Sequence, residues 1–267
     1  MNKLKFIKLL FKQPISILIS GFNGLQESEF RKSLLKDYNI ERLPTIDLLE
    51  LFPNFEEELS TYSFLEGTSL ITDIMLLKKL ARSHPECNYL EIGSWRGESI
   101  MNVSEVAKHC TSLTLSPEEM KEKKFSKGII DLHAVFSKNA KNISEILHNS
   151  QTFDFSKLAQ KFDLIFIDGD HTYKGVLNDT AKTFNLRKDS SSVIVWHDYA
   201  FSTETVRHSV LKAILDGIPR EKHSNLYHVS NTMCAVYIEN KKFSSYPTVF
   251  PTFPNKKFSV QIKTHKL

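Results

Sequence analysis

Three short polar clusters, each at the end of an apolar run, hold the side chains best suited to chemistry in this sequence. They read Glu91-Ile92-Gly93-Ser94-Trp95-Arg96-Gly97, Asp168-Gly169-Asp170-His171 and His197-Asp198-Tyr199. Carboxylates and imidazoles accept and release protons, and both can bind metal ions. The clusters therefore indicate proton transfer, a metal site or both.

The elements that must position these clusters are strands that alternate with helices, an order typical of a parallel sheet covered on both faces. The strands are predicted at residues 89–92, 112–115, 162–167 and 192–196, with a weaker strand at 129–136 and a short helix at 143–147. A hairpin of residues 226–229 and 233–238 ends the run. Because ligands of such sheets bind beyond the carboxyl ends of the strands, we expect the three clusters to converge on one crevice.

Each cluster also has a structural explanation. Short loops between strands and helices need glycine, and four of the nine glycines lie in or beside the clusters. A lone histidine such as His171 or His197 more often makes a structural hydrogen bond than it catalyses. Asp170 could simply cap a helix that begins near Thr172. It is the coincidence of three clusters that favours a functional site.

Composition narrows the class of protein. The chain has 267 residues, of which 41% are hydrophobic, and this is enough for a sizeable core. Three cysteines without Cys-x-x-Cys spacing argue against a disulfide scaffold and fit a reducing, cytoplasmic location. The net charge of +4 is carried by lysines in residues 1–13 and 255–267, so the body between them is weakly acidic. That distribution does not favour nucleic-acid binding.

The two ends of the chain are predicted to differ from the middle. Residues 1–65 read as a helical N-terminal appendage, residues 66–240 as the main domain and residues 241–267 as a basic C-terminal tail. The first residues begin like a secretory signal, but Lys8, Lys12 and Pro14 interrupt the apolar run. We expect a helix packed on the protein body, the alternative being an amphipathic helix in peripheral contact with a membrane.

The first cluster indicates which ligand the crevice binds. A dinucleotide-binding turn reads Gly-x-Gly-x-x-Gly, whereas this turn reads Glu-x-Gly-x-x-x-Gly. A carboxylate at this point would repel a phosphate group. It would suit a ligand that carries an amine and a positive sulfonium.

Three motifs in order resemble one family. YLEIGSWRGES, FDLIFIDGDHTYKGVLND and VIVWHDY are similar to the class I S-adenosylmethionine-dependent methyltransferases, in the branch of macrocin O-methyltransferase-like and cephalosporin-hydroxylase-like proteins. The resemblance covers roughly residues 68–240. It implies an α/β fold: a Rossmann-like, doubly wound, seven-stranded sheet, mostly parallel, with a C-terminal antiparallel hairpin and, in this chain, the helical N-terminal appendage.

The resemblance also implies which residues bind the cofactor. Glu91, Gly93 and Gly97 would line the methionine part of S-adenosylmethionine, and Ser94 and Trp95 would add backbone or edge contacts. Candidates further along the chain are Ser137, near the adenine, and Asp168. The family usually places an acid after the second strand to bind the ribose, where this chain has Thr114, with Glu118 and Glu119 as substitutes nearby.

Catalytic roles follow from the resemblance in the same way. Asp168, His171, His197 and Asp198 are the expected catalytic residues, and Asp168, His197 and Asp198 the expected ligands of a divalent metal, Mg²⁺ or Mn²⁺. The resemblance implies an oxygen ligand at the position of His197, since Mg²⁺ prefers oxygen, whereas imidazole suits Mn²⁺ better. His197 could therefore instead be a general base that works without metal. His171 is the rival base.

The leading hypothesis is methylation of a hydroxyl group on a small metabolite, a sugar or a glycan, with or without a metal. One alternative is a metal-dependent hydrolase, because the acid and histidine clusters could hold metals. The other is a methyltransferase-like protein that binds without turnover. The sequence does not predict the acceptor or the oligomeric state.

Overall fold

A computed structural model describes residues 14–239 and 241–266 of the chain, with side chains described from residue 22 onward. Helices and strands alternate along most of this length. The α-helices are α1 Pro14–Tyr38, α2 Leu48–Leu51, α3 Ile71–Arg82, α4 Glu98–Ser104, α5 Pro117–Glu122, α6 Lys127–Asp131, α7 Tyr173–Thr183 and α8 His208–Gly217. The strands are β1 Thr45–Ile46, β2 Asn88–Ile92, β3 His109–Thr114, β4 Ile143–Leu147, β5 Leu164–Ile167, β6 Val193–Trp196, β7 Ala200–Ser202, β8 Thr205–Val206, β9 Leu226–Val229, β10 Ala235–Tyr237 and β11 Ser245–Tyr246.

The central sheet has the order β11-β1-β9-β10-β6-β5-β2-β3-β4. Strands β4, β3, β2, β5 and β6 pair in parallel, and β10 pairs antiparallel with both β6 and β9. The mostly parallel Rossmann-like sheet and its antiparallel hairpin are therefore confirmed.

The strand count is larger than the seven predicted. The sheet has nine strands because β1 pairs in parallel with β9, and β11 pairs antiparallel with β1. Both added strands are only two residues long. They come from the regions predicted to flank the main domain, and such short strands leave no alternating pattern to detect in a sequence.

Each face of the sheet buries its own hydrophobic core, as a doubly wound fold requires. Residues of α1, α7 and α8 pack on one face, where Leu34, Val176 and Leu211 are buried. Residues of α2, α3 and α4 pack on the other, where Leu48, Leu77 and Val103 are buried. Short loops at the carboxyl ends of the parallel strands are thereby held between two packed layers.

Two elements near the edge of the sheet were predicted with the wrong type. Residues 129–136 were expected to form a strand, but they comprise the end of α6 and turns. Residues 143–147 were expected to form a helix, but they are the edge strand β4. The reason is that Ile143, Ile146 and Leu147 repeat at helical spacing, while an edge strand this exposed does not need an alternating apolar face.

The N-terminal helix α1 packs against α8. The Glu27 carboxylate accepts hydrogen bonds from the backbone N–H groups of His208 and Ser209 at the first turn of α8, where a negative charge is favoured. The basic residues 1–13, for which membrane contact was the alternative to packing on the protein body, lie outside the described residues. Within the described part of the chain, none of the helices is both long and apolar enough to cross a membrane.

Candidate active site

A cavity of about 800 Å³ opens at the carboxyl ends of β2, β3, β5 and β6. The loops that follow these strands supply most of its wall. All three polar clusters singled out in the sequence contribute to it. The sequence-predicted residues in its lining are Gly93, Trp95, Gly97, Asp168, His171, His197 and Asp198.

The turn after β2 approaches the end of β5 closely. Gly93 has a φ of +94°, and a Cβ atom at this position would overlap the backbone carbonyl of Asp168. Only glycine fits such a turn without strain. The close approach brings the loop after β2 and the side chain of Asp168 to the same wall of the cavity.

Three of the predicted cofactor residues have side chains that lie behind the cavity lining. Glu91 is fully buried and accepts hydrogen bonds from the Tyr89 hydroxyl at 2.6 Å and the Ser99 hydroxyl at 2.7 Å. Burial raises the pKa of Glu91 to about 7. Ser94 accepts a hydrogen bond from Ser112, and Ser137 packs against Gly97 ahead of β4 rather than after a third strand. Their roles toward a cofactor stay predictions.

A compact acid–histidine cluster forms where β5 and β6 end. His197 Nδ1 lies 3.0 Å from Asp168 Oδ1 and 3.5 Å from Asp198 Oδ1. Its other ring nitrogen, Nε2, lies 3.2 Å from Asp73 Oδ2. Burial opposes a charge on the His197 ring, yet the three carboxylates around it raise its pKa well above the ordinary value. The His197 ring is therefore surrounded by negative charge, and its role as base or cation ligand stays a prediction.

Asp73 is the member of this cluster that the sequence interpretation missed. It lies in the first turn of α3 and is fully buried. Its oxygens accept hydrogen bonds from the backbone N–H groups of Leu70 at 3.0 Å and Met233 at 2.9 Å, in addition to facing His197. An acid three residues after the start of an apolar helix reads as an ordinary N-terminal residue, so only its position in space reveals the contact.

The donor set of the cluster fits a divalent cation. Oxygen or nitrogen atoms of Asp168, His197 and Asp198 all lie within 4.8 Å of one another. His197 Nδ1 is buried and, despite its nearby carboxylates, makes no well-formed hydrogen bond with the described residues. A buried nitrogen without a partner is costly, and a bound cation would satisfy it. Two carboxylates and one imidazole suit Mn²⁺ better than Mg²⁺.

His171 occupies a different setting in the same cavity. Its ring is about half exposed, and Nδ1 lies 2.9 Å from Asp198 Oδ2. Burial lowers the pKa of His171, but the carboxylates of Asp198 and Asp168 together outweigh it, and the net shift of the pKa is upward. Asp170 accepts a hydrogen bond from the backbone N–H of Thr172, whereas the helix cap itself is the Thr172 hydroxyl. Asp170 thus shapes the turn, and Thr172 begins α7.

The opposite end of the cavity is more apolar. Met120, Phe125 and Ile129 line it together with His133. The Thr114 hydroxyl, at the position where an acid was expected, lies 3.3 Å from His133 Nε2. Glu119 accepts hydrogen bonds from the backbone N–H groups of Ser116 and Asn149, so its carboxylate serves the local turn structure.

Comparison with known proteins gives one family and several distant structures. A search of curated proteins finds no match to the sequence. Among solved structures, cofactor-bound Rv0187 from MTB is 16% identical with a TM-score of 0.47, covering 67% of this chain and 84% of that one. An O-methyltransferase from Bacillus cereus in complex with SAH is 14% identical with a TM-score of 0.45, covering 66% and 84%. CalS11, a TDP-rhamnose 3'-O-methyltransferase of calicheamicin biosynthesis, is 12% identical with a TM-score of 0.45, covering 64% and 80%.

The family match is independent of those distant likenesses. Residues 90–199 match the model of a family described as a methyltransferase domain. This segment begins in β2 and ends just after Asp198, so it contains all three polar clusters. The match and the sheet order together show that residues 90–199 are similar to a methyltransferase domain on a Rossmann-like sheet.

Proposed function

We propose that the chain methylates a hydroxyl group of a small metabolite, a sugar or a glycan, with a divalent cation held by Asp168, His197 and Asp198. The observation that carries the proposal is the position of this cluster in the lining of the cavity that also contains Gly93 and Gly97 of the turn after β2. Methyl transfer needs the donor and the acceptor side by side, and one cavity formed by both loops allows this.

Two bound groups would supply the chemistry. S-adenosylmethionine would supply a sulfonium methyl group for the acceptor oxygen, with the electron pair of the broken bond remaining on the sulfur and the acceptor proton taken up by the protein. A divalent cation in the cluster supplies Lewis acidity that favours the deprotonated acceptor.

The chain's own residues orient the acceptor and take up its proton. His171 Nδ1 lies against Asp198 Oδ2, so Nε2 is the ring nitrogen left to accept a proton in the cavity. Asp198 can serve both histidines because its two oxygens face different rings, Oδ2 toward His171 and Oδ1 toward His197. We therefore assign His171 as the general base and His197 as a cation ligand.

The alternatives predict different outcomes. A hydrolase that uses two metals would need ligands for a second ion, and the described residues contain one group of three metal-binding side chains.

The proposal includes a cytoplasmic location, which the three free, buried cysteines support.

The test is calorimetric titration of the protein with S-adenosylmethionine and with its demethylated product, with and without Mn²⁺, followed by incubation with small-molecule extracts. We expect both to bind and an acceptor to gain the mass of one methyl group. Absence of binding by both would refute the proposal. Binding without any turnover would instead support a binding protein, and cation-dependent cleavage without methyl transfer would support a hydrolase.

A further inference from the structure

Residues 58–69, which precede α3, are attached to the domain by buried polar side chains. Lys78 donates a hydrogen bond to the carbonyl of Glu58 at 2.5 Å, and the Asn102 amide donates to the carbonyl of Thr61 at 2.7 Å. Lys78 and Asn102 are 3% and 0% exposed, respectively. Buried polar groups are costly unless they are paired, so this segment is held in a specific position.

A buried ion pair in the cavity lining makes a further attachment. Arg96 Nε donates to Glu98 Oε2 at 3.1 Å, and both side chains are less than one-tenth exposed. The remaining arginine groups reach into the segment, where Nη1 donates to the carbonyl of Glu66 at 3.0 Å and Nη2 to the Thr68 hydroxyl at 2.6 Å. Glu98 Oε1 in turn accepts a hydrogen bond from the backbone N–H of Ser63 at 2.9 Å. The pair thus bonds both ends of residues 63–69, here called the 63–69 turn.

The 63–69 turn forms part of the cavity wall. Gly67, Thr68 and Ser69 belong to the lining, as do Trp95 and Arg96. Gly67 has a φ of +79°, and a Cβ atom there would overlap the ring of Trp95. The Arg96 guanidinium lies 4.2 Å from the centroid of that ring on the same side of the site.

We propose that the buried Arg96–Glu98 pair is a positioning device that holds the 63–69 turn as a wall of the cofactor site and thereby sets the affinity for S-adenosylmethionine. The inference rests on the proposed function. Neither residue belongs to the acid–histidine cluster, so the pair acts on binding and not on proton transfer. Arg96, Glu98 and Thr68 all line the cavity, so loss of the pair changes the cavity wall itself as well as the position of the turn.

A second ion pair in the chain provides a matched control. Arg82 makes two hydrogen bonds to Glu57, at 2.8 and 3.0 Å, and so also joins the region preceding α3 to the domain. Neither residue lines the cavity. Loss of this pair therefore reports the effect of loosening the region without altering the cavity wall.

The experiment compares Arg96→Met with Arg82→Met in the full chain. Binding of S-adenosylhomocysteine is measured by calorimetry and folding by circular dichroism. We expect Arg96→Met to raise the Kd about tenfold or more and Arg82→Met to leave it within about twofold of wild type. With an acceptor in hand, the KM for S-adenosylmethionine should rise in Arg96→Met while kcat stays within about threefold, the pattern of lost binding rather than lost catalysis.

A milder variant covers the case in which Arg96→Met does not fold. Thr68→Val removes the hydroxyl that accepts from Arg96 and keeps the ion pair, and we expect it to raise the Kd by a smaller factor. An unchanged Kd in folded Arg96→Met, or in Thr68→Val should Arg96→Met be unfolded, overturns the inference and leaves the proposed function standing. Equal losses in Arg96→Met and Arg82→Met also overturn it. Failure of the wild-type chain to bind the cofactor overturns the proposed function itself.

Discussion

The two sides of the cavity treat buried charge in opposite ways. On the β2 side, each oxygen of Glu91 and Glu98 accepts a hydrogen bond from a hydroxyl, a backbone N–H or Arg96. On the side of β5 and β6, Asp168 and Asp198 crowd against one imidazole, and His197 Nδ1 lacks a well-formed hydrogen bond. Both sides contain buried or partly buried carboxylates, but those of the first side are fully hydrogen-bonded by the chain itself, whereas those of the second face an imidazole nitrogen without a well-formed hydrogen bond.

This difference separates structural from chemical roles. A polar network whose members all have partners holds a turn or a strand end in place. A group of like charges around an unsatisfied nitrogen is instead costly for folding, and such clusters are retained where a ligand completes them. We therefore expect substitutions on the β2 side to change binding or stability, and substitutions on the β5 and β6 side to change turnover.

The largest effect should come from Asp198→Asn. This change removes a cation ligand and the carboxylate next to His171 Nδ1, so kcat should fall on the order of 10²–10⁴-fold. Affinity for S-adenosylhomocysteine should change little, because Asp198 lies on the acceptor side in our assignment. Asp170→Asn is the matched control, since it removes the same charge from another residue of the cavity lining, in the loop after β5. Turnover and calorimetry on both variants provide the measurement.

The comparison fails if Asp198→Asn keeps wild-type kcat. It also fails if Asp170→Asn loses as much activity as Asp198→Asn. The loss would then come from removing any negative charge in the cavity and not from the specific contacts of Asp198.

A smaller effect should follow from Asp73→Asn. Asp73 orients His197 through Nε2, and loss of a carboxylate behind a ligating histidine typically weakens metal affinity about 10- to 100-fold. We expect weaker Mn²⁺ binding by electron paramagnetic resonance, which reads the free ion without any enzymatic assay. Asp163→Asn is the control. Asp163 is equally buried but sits at the amino end of β5, where it accepts from the backbone N–H of Asn88.

These two variants separate an effect on stability from an effect on Mn²⁺ binding. Both variants should lower the unfolding midpoint, and only Asp73→Asn should weaken Mn²⁺ binding. A loss of equal size in Asp163→Asn would mean that the Mn²⁺ signal reports the fold and not the orientation of His197.

The central fold was predictable because β5 and β6 are short continuous apolar runs, and both they and β2 are followed at once by glycine or by a polar cluster. Such runs fix a buried parallel strand whatever its neighbours are. The edge of the sheet was not predictable in the same way. β4 is half solvated and mimics helical spacing, and β1 and β11 acquire strand structure only by pairing with β9 and with each other.

The residues of the candidate site also differ in how far the sequence predicted them. The residues that follow a strand directly, such as Asp168 and His197, were placed by the strand itself. Asp73 and Arg96 act across the fold, through contacts with His197 and with the 63–69 turn. Sequence spacing does not encode those contacts, because they depend on how α3 and the preceding segment pack on the sheet.

The smallest effect is expected for Glu91, on the β2 side of the cavity, and it concerns the free energy of unfolding. Burial raises the pKa of Glu91 to about 7 from its ordinary value of 4.5. Between those two pH values the folded chain holds a proton that the unfolded chain has released, so the free energy of unfolding falls as the pH rises. Above the folded pKa the loss is complete. For a shift of this size it is on the order of 3 kcal/mol.

Glu91→Gln should remove this pH dependence, because the amide is neutral throughout and the hydroxyls of Tyr89 and Ser99 can donate or accept. Urea unfolding of wild type and Glu91→Gln at pH 4.5, 6 and 8 measures it, with Glu122→Gln, on the exposed face of α5, as the control. We expect the variant to gain stability over wild type steadily from the lowest to the highest pH. If the difference in the free energy of unfolding between Glu91→Gln and wild type stays constant with pH, the pKa of Glu91 is the same in the folded and unfolded chain. The buried β2 side would then accept a negative charge without loss of stability.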